Sequence, residues 1–324
     1  MLDQTDPTTT GYAPLTSAAA VTSGLSSVGY ISTAQISMAV YLAHHLRKPV
    51  LIEGPAGVGK TDLALSVARY LTLPAIRLQC YEGLDEGKAL YEWKYGKQLL
   101  YTQLLKDRLG DMIGEANTLE TGFERLNAFQ DVFFSENFIE PRPLLKALQQ
   151  DRGSVLLIDE IDKADEAFEA FLLEVLSDYQ VTIPEIGTIS ARVPPIVFLT
   201  SNNVRDLGDA LKRRCLHLYI DFPEAAREQA ILAARVPGIE AHLLSQIVQF
   251  VQALRQEDIR KSPSISETVD WARALLLMNA QALAPDLVRE TLNVLLKYES
   301  DIQSVEGRIS KLLRGRDQAL NSPR

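Results

Sequence analysis

Residues 54–61 read GPAGVGKT, which fits the spacing G-x-x-x-x-G-K-[ST]. This spacing suits phosphate. Glycines let backbone N–H groups curl around the oxygens without Cβ interference, Lys60 brings charge to the β- and γ-phosphates, and the Thr61 hydroxyl can ligate Mg²⁺. A second group follows at 154–165, SVLLIDEIDKAD, where an apolar run ends on Asp159 and Glu160. An acid at a strand end can hold Mg²⁺ through its water shell, and the next acid can polarise an attacking water. The plainer alternative is that both acids cap the following helix. A third run, FLTSNN, carries Thr200, Ser201 and Asn202 at a strand end, and Asn202 could hold the same water. Asn in a post-strand turn is also common. A fourth, DALKRRCLHLYIDFP, places Arg213 and Arg214 just before an apolar run. Supplied in trans, either could stabilise transition-state charge; a solvated basic pair is the alternative.

Such groups need elements that bring them to one edge. Short apolar runs recur at PVLIE (49–53), AIRLQC (75–80), SVLLIDE (154–160), IVFLTSN (196–202) and LHLYIDF (216–222). Continuous Val/Ile/Leu runs predict strands buried on both faces, hence a parallel sheet covered by helices. After Pro223 the pattern is helical, over 224–235, 239–255, 265–284 and 286–313, with Ser264 and Glu267 at capping-box spacing. The stretch ALYEWKYGKQLLYTQ (89–103) alternates Tyr91, Trp93 and Tyr95 before Gly96-Lys97, which predicts a β-hairpin. The expected domains are a mobile tail over 1–27, an α/β domain over 28–222 and a helical domain over 223–324.

The bulk numbers narrow the class. The 324 residues are 46% hydrophobic and 23% charged, a globular composition. A net charge of −9 disfavours broad nucleic-acid binding. Cys80 and Cys215 match no metal-ligand spacing and read as reduced buried thiols. His44 and His45 have no third ligand nearby in sequence. No apolar run approaches the ~20 residues a spanning helix needs. The start, MLDQTDP, lacks the basic region of a signal peptide, so a cytoplasmic location and no transmembrane segment are expected.

In this order the phosphate loop, the strand ending IDEIDKAD, the Thr-Ser-Asn strand end and the late Arg pair resemble an AAA+ ATPase. The runs EVLSDYQVTIPEIGTISARVPPIVFLTSN and LGDALKRRCLHLYIDFP look like the MoxR branch, and within it proteins associated with maturation of carbon monoxide dehydrogenase and related molybdenum hydroxylases. The resemblance implies a P-loop NTPase α/β/α sandwich with a five-stranded parallel sheet and an all-α lid. It implies an insert hairpin near 89–103 and a second hairpin near 180–191. Its nucleotide-binding residues would be Gly54, Pro55, Ala56, Gly57, Val58, Gly59, Lys60, Thr61 and Asp62. Thr61 and Asp159 would hold the metal. Glu160, Asn202 and Arg213 or Arg214 would serve catalysis. ATP and Mg²⁺ are the implied cofactors. A ring of copies, usually six, a client metalloenzyme and a von Willebrand factor A partner are the implied associates. Where the family's lid often reads Ser-Pro-Arg, this chain reads Ser262, Pro263, Ser264. Arg260, Lys261 and Arg273 are the candidate substitutes. A nucleic-acid motor or clamp loader on the same fold is the alternative; a GTP-dependent metallochaperone would need an Asn-Lys-x-Asp motif, and NNVRD is the nearest run.

Overall fold

The computed structural model describes residues 15–103, 135–184 and 186–314. In chain order the described elements begin with α1 (Ala18–Ser27), α2 (Ala34–Leu46), β1 (Val50–Glu53), α3 (Lys60–Leu71), β2 (Ala75–Gln79), α4 (Glu86–Ala89) and β3 (Tyr91–Trp93). A helix, α5, covers 95–103. Then come β4 (Ile139–Pro141), α6 (Pro143–Leu148), β5 (Val155–Asp159), α7 (Glu166–Asp178), β6 (Gln180–Ile183), β7 (Gly187–Ser190), β8 (Ile196–Ser201), α8 (Asp209–Arg214) and β9 (Leu216–Tyr219). The remainder is helical: α9 (Ala225–Arg235), α10 (Ala241–Leu254), α11 (Ile265–Leu277), α12 (Pro285–Leu295), α13 (Glu299–Glu306) and α14 (Ile309–Arg314).

Five strands form one parallel sheet in the order β2-β5-β8-β1-β9. β5 pairs in register with β2 (Leu78 opposite Ile158) and with β8 (Leu156 opposite Val197). All residues of β5 and β8 are buried, as their unbroken apolar runs require. The edge strand β2 differs from expectation: Ala75 and Arg77 are exposed, because one flank of an edge strand has no neighbour. β6 and β7 form a separate antiparallel hairpin, with Val181 opposite Ile189.

The chain divides into two compact units. One comprises Leu42–Leu51 and Leu71–Leu216, and the other Leu15–Tyr41, Ile52–Tyr70 and the residues from His217 on. The core of the first gathers Leu78, Leu156, Ile158, Phe168, Leu172 and Leu199 around the sheet and α7. In the second, Trp271 is fully buried beside Phe250, and its indole N–H donates to the Thr291 hydroxyl at 2.8 Å. Glu228 is also fully buried and accepts from Arg255 at 2.7 and 2.8 Å, from Gln252 at 2.8 Å and from Thr268 at 3.3 Å. These bonds satisfy the carboxylate and tie α9 to α10 and α11.

Two expectations are corrected. The segment read as a mobile tail over 1–27 contains α1; residues 1–14 lie outside the described part. Ser17 caps α1 by accepting from Ala20 N–H at 3.1 Å, and Leu15, Val21 and Leu25 are buried. The hairpin over 89–103 is not formed. β3 pairs instead with β4, Trp93 opposite Ile139, and the chain from Tyr95 turns helical. Lys97 lies over the Tyr101 ring at 5.6 Å, an i,i+4 contact that a helix supplies. The helical pattern is also more broken than its sequence suggests. α11 ends before Asn279, which sits at φ 55°, and extended backbone at Leu296 separates α12 from α13. The capping box at Ser264 and Glu267 is present.

Candidate functional site

β1 delivers the chain to the phosphate loop, which lies with α3, beginning at Lys60, in the second unit. A Cβ on Gly54 would lie 2.0 Å from the Ile220 carbonyl oxygen, so only glycine fits beside β9. Gly57 and Gly59 take φ of 75° and 96°, which turns successive N–H groups to one side of the loop. Lys60 is buried, and its ammonium donates to the carbonyls of Gly54 at 2.5 Å and Pro55 at 2.8 Å. Its charge is thus held against the loop it serves. Thr61 opens the first turn of α3. The Asp62 carboxylate pairs with Arg69 at 3.2 Å and with Arg235.

A cavity of about 240 Å³ lies beside the loop. Tyr30, Ile31, Val58, Ile231, Ile265 and Val269 give it an apolar slot, and Asp62, Arg227, Arg235, Asp270 and Arg273 give it a charged rim. Arg227 fixes the α1–α2 connection by donating to the Ile31 carbonyl at 3.1 and 3.3 Å. Burial pushes the Tyr30 phenol above its ordinary pKa, so the ring stays neutral here. Of the candidate lid cations, Arg260 stacks on Tyr298 at 4.2 Å and Lys261 bonds Glu267 at 2.8 Å. Arg273 is the one that lines the cavity.

In the first unit, Asp159 ends β5 and is 3% exposed. It accepts from Arg77 at 2.6 and 3.0 Å and from the Thr200 hydroxyl at 2.5 Å. Glu160 follows in left-handed backbone, φ 57° and ψ 50°, with its N–H donating to Thr200 Oγ1 at 2.9 Å. Non-glycine residues occupy that region at a cost and only when neighbours hold them there. The Glu160 carboxylate accepts from Gln79 at 2.8 Å, Lys163 at 2.6 Å and Asn202 at 3.3 Å. Asp162, also 3% exposed, accepts from the N–H groups of Asn202 at 3.0 Å and Val204 at 2.9 Å, which sets the Asn202 loop. Asp159, Glu160 and Asn202 are therefore together. Arg213 and Arg214 lie at the exposed end of α8, away from this cluster in sequence. Arg214 donates to Ser177 Oγ at 2.9 Å; Arg213 has no such partner among the described residues.

The donor set suits Mg²⁺. That ion prefers oxygen ligands and usually keeps several waters, binding one or two protein groups plus substrate phosphates. Each unit carries one oxygen donor of this type, the Thr61 hydroxyl in the second and the Asp159 carboxylate in the first, and no cluster of three or more His, Cys, Asp or Glu among the described residues could cage a metal alone.

The sequence profile of the ATPase family associated with various cellular activities (AAA) matches residues 50–223, more than half of the chain and all the elements just described from β1 to β9. The chain belongs to the AAA family. It is accordingly an ATPase, with ATP and Mg²⁺ as the cofactors of that family. Gas vesicle ATPase GvpN of Haloferax mediterranei is 25% identical over 289 residues, 85% of this chain and 76% of that protein. An uncharacterised Staphylococcus epidermidis protein, SERP0979, is 26% identical over 238 residues, 71% of this chain and 76% of its own length. Among solved structures, the Thermotoga maritima RuvB Holliday junction branch migration motor overlaps with a TM-score of 0.44 at 19% identity, over 80% of this chain. The overlap spans 66% of that motor, just under two thirds of its length.

In each unit, neighbours of the motif residues carried less signal in the sequence. Gln79, Thr200 and Lys163 hold Asp159 and Glu160, while Tyr30, Ile31, Arg227 and Arg235 line or brace the cavity. Thr200 was visible as a polar strand end, and Lys163 inside IDEIDKAD. Gln79 carried no signal, since only the adjacency of β2 and β5 brings it to Glu160. Among the described residues no helix is long and apolar enough to cross a membrane.

Proposed function

We propose that this AAA ATPase is a remodelling chaperone of the MoxR type, in which Glu160 is the general base. The observation that carries the reading is the Glu160 carboxylate, turned out by left-handed backbone at a strand end, with Asn202 on one oxygen at 3.3 Å. That is the placement a base needs beside a water-orienting amide. Lys60 and the loop N–H groups would take the ATP phosphates, the Thr61 hydroxyl would offer the metal an oxygen, and Asp159 would hold it through its water shell. Mg²⁺, when bound, neutralises phosphate charge. A bond forms from the water oxygen to the γ-phosphorus as the bond to the ADP oxygen breaks, and the water's proton passes to Glu160.

Arg213 is the better candidate for an arginine supplied to a neighbouring copy, because Arg214 is engaged by Ser177 and Arg213 is exposed without a partner among the described residues. A ring of copies, a client metalloenzyme and a von Willebrand factor A partner rest on the sequence resemblance. The relative named gas vesicle ATPase GvpN supports the ATPase part of this reading. Glu160→Gln is the test. It should retain ATP binding and lose turnover by about a hundredfold or more, the usual worth of a positioned base. The trapped ATP state should then capture the client from a lysate. Full turnover in this variant, or wild-type turnover that rises with added DNA, would overturn the reading.

A further inference from the structure

We propose that an acid-lined cavity in the first unit is a binding site for a primary alkylammonium, carried either by a free diamine or by a lysine side chain. The proposal does not depend on Glu160 being the base. Topology gathers the acids. β2, β5 and β8 are neighbours in the parallel sheet, so the chain leaves all three at the same edge. Glu82 follows β2, Asp162 and Asp165 follow β5 before α7 opens with Glu166, and Asp206 follows β8. Together they line a cavity of about 600 Å³. Two cations share the lining, but both are spent on acids outside it. Lys163 bonds Glu160 at 2.6 Å, and Arg205 pairs with Glu169. Arg205 is held further by donating from Nε to the Ala164 carbonyl at 2.9 Å. The five lining carboxylates therefore have no ion pair among the described residues.

One of these acids is also short of a hydrogen-bond donor. Asp162 is 3% exposed. Its Oδ2 accepts from the N–H groups of Asn202 at 3.0 Å and Val204 at 2.9 Å, whereas its Oδ1 is buried with no hydrogen-bond partner among the described residues. Buried carboxylate oxygens are nearly always met by a donor, so this wall of the cavity calls for one that enters it. The chemistry of that donor follows by exclusion. No three acids are grouped closely enough to hold a metal ion. A guanidinium prefers two oxygens side by side, and Asp162 has one left. Water would meet the oxygen but leave the negative charge uncompensated. An ammonium is a compact charge with three N–H groups that take separate acceptors, which matches one buried oxygen among spaced carboxylates. Asp165 offers less, because it caps α7 by accepting from Phe168 N–H at 2.8 Å, while Glu82, Glu166 and Asp206 are exposed. The volume suits a small organic group rather than a bare ion.

The test titrates the full-length chain, without nucleotide, with putrescine and separately with a blocked Gly-Lys-Gly peptide. Calorimetry at constant ionic strength keeps general screening out of the comparison. Saturable one-site binding is expected. Binding of putrescine alone assigns the site to free diamines, and binding of the peptide alone assigns it to a lysine on a partner. The bis-trimethylammonium analogue of putrescine carries the same charge without an N–H donor and should not bind. Replacing Glu82→Gln, Glu166→Gln and Asp206→Asn together should weaken binding about tenfold or more, the summed effect of three exposed charges. Asp162→Asn keeps a carbonyl oxygen for the Asn202 loop and puts an amide donor in place of Oδ1, which should also weaken binding about tenfold or more. If Asp162→Asn fails to fold, the triple surface variant still decides. No saturable binding of either probe, equal binding of the trimethylammonium analogue, or undiminished binding in the triple variant overturns the site.

Discussion

Arg213 and Arg214 are neighbours of the same type at the same helix end, yet their surroundings divide their work. The guanidinium of Arg214 is engaged by Ser177, while that of Arg213 is held by nothing described. An arginine that completes a neighbour's site must be available to it. Arg213→Ala should therefore lower kcat by about a thousandfold or more, as loss of an arginine finger does. Arg214→Ala should cost far less turnover and about 1 kcal/mol of stability for one hydrogen bond. Parallel ATPase assays and thermal melts would show both. If the two variants lose turnover equally, the division is wrong. At this scale the phosphate loop and the Asp159-Glu160 pair were legible, because each is a contiguous run whose chemistry depends on local spacing. Gln79 was not, because its bond to Glu160 spans 81 residues and needs the β2-β5 pairing.

The elements carry a different lesson. α1 was misread because the segment from Pro7 to Leu46 has no Asp, Glu, Lys or Arg. Without charges on the outer face, a helix shows little amphipathic contrast, and Ser/Thr/Ala-rich sequence looks like a linker. Burial decides otherwise: Leu15, Val21 and Leu25 are at most 1% exposed. Deleting residues 1–27 should cost several kcal/mol, at about 1.5–3 kcal/mol per buried aliphatic side chain. It should also weaken ATP binding, since α1 leads directly into the Gly29–Ile31 wall of the cavity. A melt and a nucleotide titration against the full chain would check this; an unchanged melt would contradict it. The strand at Tyr91–Trp93 was legible but its partner was not, since β4 lies across 104–134 and Gly96 offered a nearer, false turn. Among the C-terminal helices, the buried Glu228–Arg255 pair is the joint. Glu228→Ala leaves Arg255 charged and unpaired in the core, which should cost about 3–5 kcal/mol. Chemical denaturation would measure it, and a loss below 1 kcal/mol would mean that water reaches Arg255.

For the whole molecule, two thiols report on integrity. Cys80 is buried, and Asp159, Asp162 and Glu160 nearby disfavour a further negative charge, so its thiol is pushed up to about 12. Burial does the same for Cys215, also to about 12, against a small opposing pull from Lys48. The reactive species is the thiolate, and a raised pKa keeps its fraction small until the pH approaches that value. At pH 8 neither should react with iodoacetamide until the chain unfolds. Labelling followed by mass spectrometry would check this at both sites, and rapid native labelling of either would contradict its burial. Because the two cysteines both belong to the first unit, labelling reports that unit's opening and leaves the second to other probes.

The second unit holds its own constraint at Gly57. A Cβ there would fall 2.4 Å from the Cβ of Ser264, the N-cap of α11. A side chain at 57 would have to displace that helix's cap, and would do so from a backbone conformation, φ 75°, that glycine takes freely and other residues do not. The phosphate loop and the start of α11 are thus fitted as notch and peg, and the missing side chain at 57 is the notch.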